Sequence, residues 1–125
     1  MLGDNPISPI LLSMDLAATR RFYHDQIGLE IIRENEDEIT FRCGGGTQLS
    51  VTKSTTGTAD SQTQAGWDVP DLRAEVADLR SRGVTVEEYD MPGLKTEDGI
   101  ADIGFAWMAW IIDPGKNALA IMQLK

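Results

Sequence analysis

ADIGFAWMAWIIDPGKNALAIMQLK, residues 101–125, is the stretch whose reading decides the fold. Two apolar runs flank Asp113-Pro114-Gly115-Lys116-Asn117. Pro presets φ, Gly frees the backbone, and Asp and Asn bond back to the local main chain, so the stretch predicts a β-hairpin with a five-residue loop. Partners across antiparallel strands point the same way. If Ile112 pairs with Ala118, then Trp110 faces Ala120 and Met108 faces Met122. Phe105, Trp107, Ala109, Ile111, Leu119 and Ile121 then share the opposite face. Both faces are apolar, so both require cover: helices over one, with Phe105 and Trp107 in that core, and a second apolar environment over the other.

Working outward, the chain repeats an order of elements. Ile7 to Met14 reads as a buried strand, with Pro9 marking an edge position or a strand start. Asp15 is an N-cap candidate for a helix that runs toward Ile27 and stops at Gly28. Leu29 to Arg33, Glu38 to Cys43 and the alternating TQLSVTK of Thr47 to Lys53 are predicted strands. STTGTADS, residues 54–61, reads as a linker. Gln62 to Val69 is the next strand. A helix follows over Pro70 to Arg82, with Leu72, Val76 and Leu79 on one face and Gly83 at its stop. Val84 to Glu88 is a further strand, and Tyr89 to Ile100 a long loop of the kind that closes over a site. Each half is therefore predicted to be β-α-β-β-β. SMDL with its helix and GLEII matches VPDL with its helix and GVTVE, ITFRCGGG matches AWIIDPGK, and QLSVTK matches ALAIMQ. Such a duplication implies two sheets sharing a concave surface, the second apolar environment that the hairpin requires.

Composition bounds the function. A chain of 125 residues is expected to form one domain and to bury about two-thirds of the surface its unfolded form exposes. Cys43 is the single cysteine, so no internal disulfide can form and a reducing cytoplasm is the expected location. The N-terminus shows no charged segment leading into an apolar one, which argues against a signal peptide. The longest apolar stretch, Phe105 to Ile112, is far short of the ~20 residues that cross a bilayer. A net charge of −9 repels phosphate backbones, excludes nucleic acid as the expected partner and favours cationic small molecules.

DLAATRRFYHDQIGLEI, VPDLRAEVADLRSRGV, GLKTEDGIADIG and AWIIDPGKNALAIMQ together resemble, in order and over nearly the whole chain, the vicinal-oxygen-chelate superfamily. That superfamily includes glyoxalase I, extradiol dioxygenases, fosfomycin-modifying enzymes and bleomycin-resistance proteins. The resemblance implies an α+β fold of two paired βαβββ modules, residues 1–53 and 62–125, whose curved sheets surround a cavity, often in a homodimer. It does not fix the chemistry, because one scaffold hosts several.

Metal enzymes of this superfamily take His, Glu or Gln ligands from the first and last strand of each module. Carried over by position, those places hold Ser8, Gln48 (or Ser50), Gln64 and Ala120; the pattern DPxGNxxE would put Glu where Ala120 stands and Gly where Lys116 stands. A divalent cation in such a site needs imidazole or carboxylate donors. A hydroxyl, two amides and a methyl supply neither, so no metal and no cofactor are expected. The remaining chemical candidates are weaker. His24 suits the last turn of a helix. Cys43 lacks a basic neighbourhood beyond Arg42. Ser50-Val51-Thr52-Lys53 fits Ser-x-x-Lys, but on a strand the two side chains point to opposite faces.

Strand parity places Ile10, Leu12, Thr40, Arg42, Ser50, Gly66, Met108, Trp110 and Met122 on the concave face, with Met91, Leu94 and Ile100 closing from the long loop. Trp110 is read as pocket, with core as the alternative. Such a lining suits a planar or cationic organic molecule. The reading is a metal-free protein that binds a small organic ligand, resembling the bleomycin-resistance type. The alternatives are a metal-dependent lyase or dioxygenase, and an accessory domain with a filled cavity.

Overall fold

The structure is a computed structural model that describes residues 1–58 and 62–125. The protein is mixed α+β, with two sheets and few helices. It divides into two compact units, Met1–Asp60 with Pro114–Lys116, and Ser61–Asp113 with Asn117–Lys125. Residues 59–61 of the expected linker lie outside the described residues. Within the described part of the linker, the Ser54 hydroxyl accepts from the backbone N–H of Thr56 at 3.2 Å and of Gly57 at 3.0 Å, the local turn bonding that small polar residues favour.

In the first unit β1 (Ile10–Ser13), β2 (Glu30–Glu34), β3 (Glu38–Arg42) and β4 (Gln48–Lys53) form a sheet in the order β1-β4-β3-β2, with β1 parallel to β4 and the other pairs antiparallel. Pro9 precedes β1, which lies at the sheet edge, where a missing N–H costs least. The helix between β1 and β2 is α1 (Leu16–Arg20), continued by a wider π-helical segment, Arg21–Gln26. Its start is tied down: Asp15 caps it by accepting from Ala18 N at 3.0 Å, and the Thr19 hydroxyl donates to Ser13 Oγ at 2.8 Å. Tyr23, fully buried, meets the rings of Phe22 at 5.0 Å and of Phe41 at 5.1 Å. Leu11, Ile39, Phe41, Leu49 and Val51 alternate along their strands to form this helix-side core.

In the second unit β5 (Thr63–Asp68), β6 (Asp90–Met91), β7 (Leu94–Glu97), β8 (Ile100–Asp102), β9 (Ala106–Ile112) and β10 (Ala118–Leu124) form a sheet in the order β5-β10-β9-β8-β7-β6. Its helix is α2 (Leu72–Ser81), capped by Asp71, which accepts from Ala74 N at 3.1 Å, as Asp15 caps α1. Leu72, Val76 and Leu79 are buried and α2 packs on β9 and β10. The hairpin register is the expected one: Ile112 pairs with Ala118, Trp110 with Ala120 and Met108 with Met122. At its tip Lys116 has φ 67°, a left-handed conformation at the position where the family pattern has glycine.

Three expectations need correction. Val84 to Glu88 is not a strand. β8 occupies the outer edge of β9 at Trp107 and Met108, and a single backbone bond, Glu87 N to Trp110 O at 2.9 Å, joins the segment to that edge. Tyr89 to Ile100 is not an open lid loop: it contains β6, β7 and the start of β8, turned at Pro92-Gly93 and Asp98-Gly99. Thr96 holds it, with backbone bonds to Tyr89 and a 2.6 Å hydroxyl bond to Glu88 Oε2. Phe105 precedes β9 and is 65 % exposed, so it is outside the helix-side core.

Asp98 and Gly99 both have positive φ, 54° and 81°, as a two-residue I′ turn demands. A Cβ at Gly99 would stand 2.8 Å from Val86 Cγ1 and 3.0 Å from Arg80 Nη2. Gly99→Ala is therefore expected to destabilise the protein by about 2 kcal/mol, seen as a lower urea midpoint with unchanged slope.

Candidate functional site

One face of the second sheet carries an aromatic and methionine surface assembled by the pairing of β9 with β10. Trp110 and Met108 project from β9, Ala120 and Met122 from β10, and Ala101 joins them from β8 opposite Met108. Ala101, Trp110 and Ala120 are buried together, with Tyr89, Leu94, Ile103 and Met108 packed against them. Trp110 is 8 % exposed, and its Nε1 donates to Thr63 Oγ1 at 3.1 Å, so the buried indole leaves no unmet donor. The Tyr89 ring meets it edge-on at 5.5 Å. Burial, and then the nearby Glu87 charge, push the Tyr89 phenol above its ordinary range, so it stays a neutral donor at physiological pH. Met108 and Met122 remain half-exposed, leaving a soft, polarisable rim beside the tryptophan.

The structure brings Met108, Trp110 and Met122 together and leaves Met91 apart. Met91 lies on β6 and is 49 % exposed; from this stretch it is Tyr89 and Leu94, the β7 partner of Met91, that pack on the cluster. Leu12 and Arg42 belong to the first unit. There the register sets Ile10 opposite Ser50, Leu12 opposite Thr52, Thr40 opposite Ser50 and Arg42 opposite Gln48, so these residues share one face. Leu12 is partly exposed, and Arg42 Nε is paired with Glu30 Oε2 at 3.1 Å on the surface.

That face of the first sheet also holds a polar chain that parity alone does not reveal. Arg33 bonds Glu38 Oε1 through Nε at 3.0 Å and Thr40 Oγ1 through Nη2 at 3.2 Å, and the Thr40 and Ser50 hydroxyls share a bond of 2.8 Å. A register shift between Ile31 and Arg33 causes this. It sets Arg33 opposite Thr40. Adjacent Ile31-Ile32, which breaks the alternation, is the trace of it in the sequence.

The four positions at which the family's metal enzymes carry ligands do not fit a metal. Ser8 and Gln48 are half-buried neutral groups, Gln64 is exposed, and Ala120 offers a methyl. β5 pairs with β10 through a bulge: Thr63 lies opposite Ala118 and Ala65 opposite Leu119, so Gln64 is the extra residue and Gly66 is the partner of Ala120. A Cβ at Gly66 would be 3.0 Å from Ala120 O and 3.3 Å from Ala120 Cβ, so a side chain at 66 would press on Ala120, and the glycine itself offers no ligand. Among the described residues no three His, Cys, Asp or Glu side chains converge. His24 is exposed, with Nδ1 2.9 Å from Leu29 O, a contact that requires the proton on Nδ1 and ties down the end of the π-helical segment. Cys43 is half-buried at the start of the Gly44–Gly46 turn, and Ser50 turns toward Thr40 while Lys53 is exposed, so neither forms a nucleophile with a base.

On the other face of the second sheet, Trp107 does not lie in the helix-side core as expected. It is half-buried, with Lys125 Nζ 4.9 Å from its ring centroid. Lys125 also bonds Asp102 at 2.7 Å, and that bond, followed by the Gly104 N–H, lowers the Asp102 carboxyl below its ordinary range. Because the folded-state value is the lower one, this stabilisation is present above the ordinary carboxylate range and is lost as pH falls through the depressed value. Lys125→Met is expected to raise the Asp102 titration midpoint toward its ordinary value, read from its carboxyl chemical shift.

Among the described residues, no helix is long and apolar enough to cross a membrane. No curated protein matches the chain in sequence. Among solved structures it is similar to the bleomycin-binding protein of bleomycin-producing Streptomyces verticillus, complexed with copper(II)-bleomycin, at 20 % identity and a TM-score of 0.76 over 97 % of both chains. It is similar to a glyoxalase/bleomycin resistance protein/dioxygenase from Alicyclobacillus acidocaldarius at 18 % identity and a TM-score of 0.73, over 97 % of this chain and 92 % of that one. Similarity to lactoylglutathione lyase from Agrobacterium tumefaciens is 21 % identity with a TM-score of 0.65, over 95 % of this chain and 92 % of that one. At these identities the likeness concerns the fold. The sequence profile of one family matches residues 7–120, and with it the chain belongs to the Glyoxalase/Bleomycin resistance protein/Dioxygenase superfamily.

Proposed function

We propose that this protein binds a small organic molecule, planar aromatic or cationic, without a metal and without converting it. The observation that carries this reading is the pairing of Trp110 with Ala120: a methyl stands where the resemblance to the family's metal enzymes would set a carboxylate, and an indole lies beside it. The soft rim of Met108 and Met122 beside that indole accommodates flat rings, and the indole attracts cations. The net charge of −9 steers cations toward the protein. The structurally similar Streptomyces verticillus protein is a bleomycin-binding one, so bleomycin belongs in the ligand panel and drug sequestration, a form of antibiotic resistance, is the proposed role. A homodimer and a cytoplasmic location are part of the reading; sedimentation equilibrium and fractionation test them.

The test is a titration of tryptophan emission with a panel of aromatic and cationic compounds that includes bleomycin. A saturable change that disappears in a Trp110 variant is expected. No response to any of them would overturn the reading and favour the accessory interaction domain, which the close packing of Tyr89, Leu94 and Ile103 on Trp110 otherwise supports. A metal-dependent lyase or dioxygenase requires stoichiometric metal. Elemental analysis of protein purified without chelator is expected to find less than one-tenth of an equivalent of Zn, Ni, Mn or Fe, on the order of loading set by such weak donors.

A further inference from the structure

The helix-side face of the second sheet extends beyond the N-terminal end of α2. There Trp107 and Gln123, paired across β9 and β10, and Ile100 on β8 meet Pro70, Leu72 and Arg73 around a cavity of about 370 Å³. A second hollow of about 350 Å³ shares Arg73, Ile100 and Trp107 and adds Lys95, Glu97 and Asp102. The two form one groove with an indole in its wall, and they lie on the opposite face from Trp110, because residues three apart on a strand point to opposite sides.

The polar groups of this groove are partly committed. Asp71 caps α2, Asp102 is held by Lys125 and Gly104 N, and Gln123 Oε1 accepts from Leu72 N at 2.8 Å, which leaves its amide hydrogens as donors. Among the described residues, Arg73 and Lys95 have no ion-pair partner, although the chain has 20 acidic residues against 11 basic ones. Glu97 is likewise without an ion pair among the described residues. Counting Asp71, whose cap bond leaves its charge in place, Arg73 and Lys95 face two carboxylates, Asp71 and Glu97, but the two cations have no ion-pair partner among the described residues and bring N–H donors to the edge of a flat apolar wall. A ligand that complements those donors and that wall carries a carboxylate on a flat ring.

We propose that this groove binds a planar aromatic carboxylate, with its ring against Trp107 and Ile100 and its carboxylate met by Arg73 and Lys95. Arginine suits the role because its fork of N–H groups matches the two carboxylate oxygens. The groove is independent of the Trp110 surface, and each carries its own indole as reporter.

The experiment is a ¹H–¹⁵N titration of the full chain with 2-naphthoate, following the indole N–H signals, with the Trp107 signal identified by its absence in Trp107→Phe. The expected result is a saturable shift at Trp107, not reproduced by the uncharged 2-naphthalenemethanol. In the double variant Arg73→Ala/Lys95→Ala affinity should fall by roughly 2- to 30-fold, the scale of losing two exposed charge pairs. Both residues are exposed, and an unchanged Trp110 signal verifies that the variant is folded. An equal shift with the alcohol, unaltered affinity in the double variant, or no saturable shift at Trp107 would overturn the proposal. A shift confined to Trp110 would overturn it as well, while leaving the proposed function standing.

Discussion

Trp110→Ala should lower the stability of the protein by about 3–5 kcal/mol, the scale for truncating a large buried aromatic residue. The indole is buried with Ala101 and Ala120, neither of which can move in to fill the space, and Tyr89, Leu94 and Ile103 would lose their packing partner. The Thr63 hydroxyl would lose its donor as well, but Thr63 is exposed and water replaces it cheaply. Urea melts should therefore show a large drop in midpoint. Because an unfolded variant reports nothing about binding, Trp110→Phe is the informative partner. It keeps an aromatic ring against Tyr89, forfeits the Nε1 bond, and is expected to cost about 1 kcal/mol of stability while weakening the organic ligand by about tenfold or less. If Trp110→Phe bound every ligand as the native protein does, the proposed site would be in the wrong place.

The second large effect lies at the hairpin tip. Asp113 and Asn117 are both buried, at 3 % and 0 % exposure. The Asp113 carboxylate accepts from Asn117 N at 2.7 Å and from Asn117 Nδ2 at 3.0 and 2.8 Å, and Asp113 N donates to Asn117 O at 3.0 Å. Asp113→Ala removes the acceptor and leaves the Asn117 donors buried without it, a cost of about 3 kcal/mol. Asp113→Asn keeps the size and one acceptor oxygen but sets an amide against an amide, and should lose about half as much. Equal stability of all three proteins in urea would show that the turn contributes through its backbone alone. These residues come directly from the DPGKN reading, in which Asp and Asn were expected to bond back to the local chain.

Legibility followed the range of the interaction. The register of β9 on β10 could be read because a short loop fixes which residues meet, and the two helices because Asp15 caps the first, Pro70 opens the second, and a glycine, Gly28 or Gly83, stops each. The meander of β6 to β8 was legible in principle: Pro92-Gly93 and Asp98-Gly99 are strong turn signals, and reading the segment as one loop passed over them. What the sequence does not carry is the extent of cover. That α2 ends short of Trp107, or that Phe105 falls before the strand, depends on where layers stop, which no local pattern encodes. The two register shifts, at Ile31–Arg33 and at Gln64, escaped for a related reason. Each is a compromise between strand pairing and packing across the sheet, and each changed the membership of a face: one introduced Arg33 beside Thr40, the other took Gln64 out of line with Ala120.

The pairing of Gly66 with Ala120 also restricts what this chain can become by point mutation. With Gly66 opposite Ala120, a carboxylate introduced at 120 would find no ligating side chain on its strand partner, and a donor introduced at 66 would bring its Cβ to 3.0 Å from Ala120 O, so the neighbouring strand would have to give way slightly. Neither change is useful without the other. A cation-holding corner at this strand pair would therefore need positions 66 and 120 altered together, a double step whose single-substitution intermediates gain nothing.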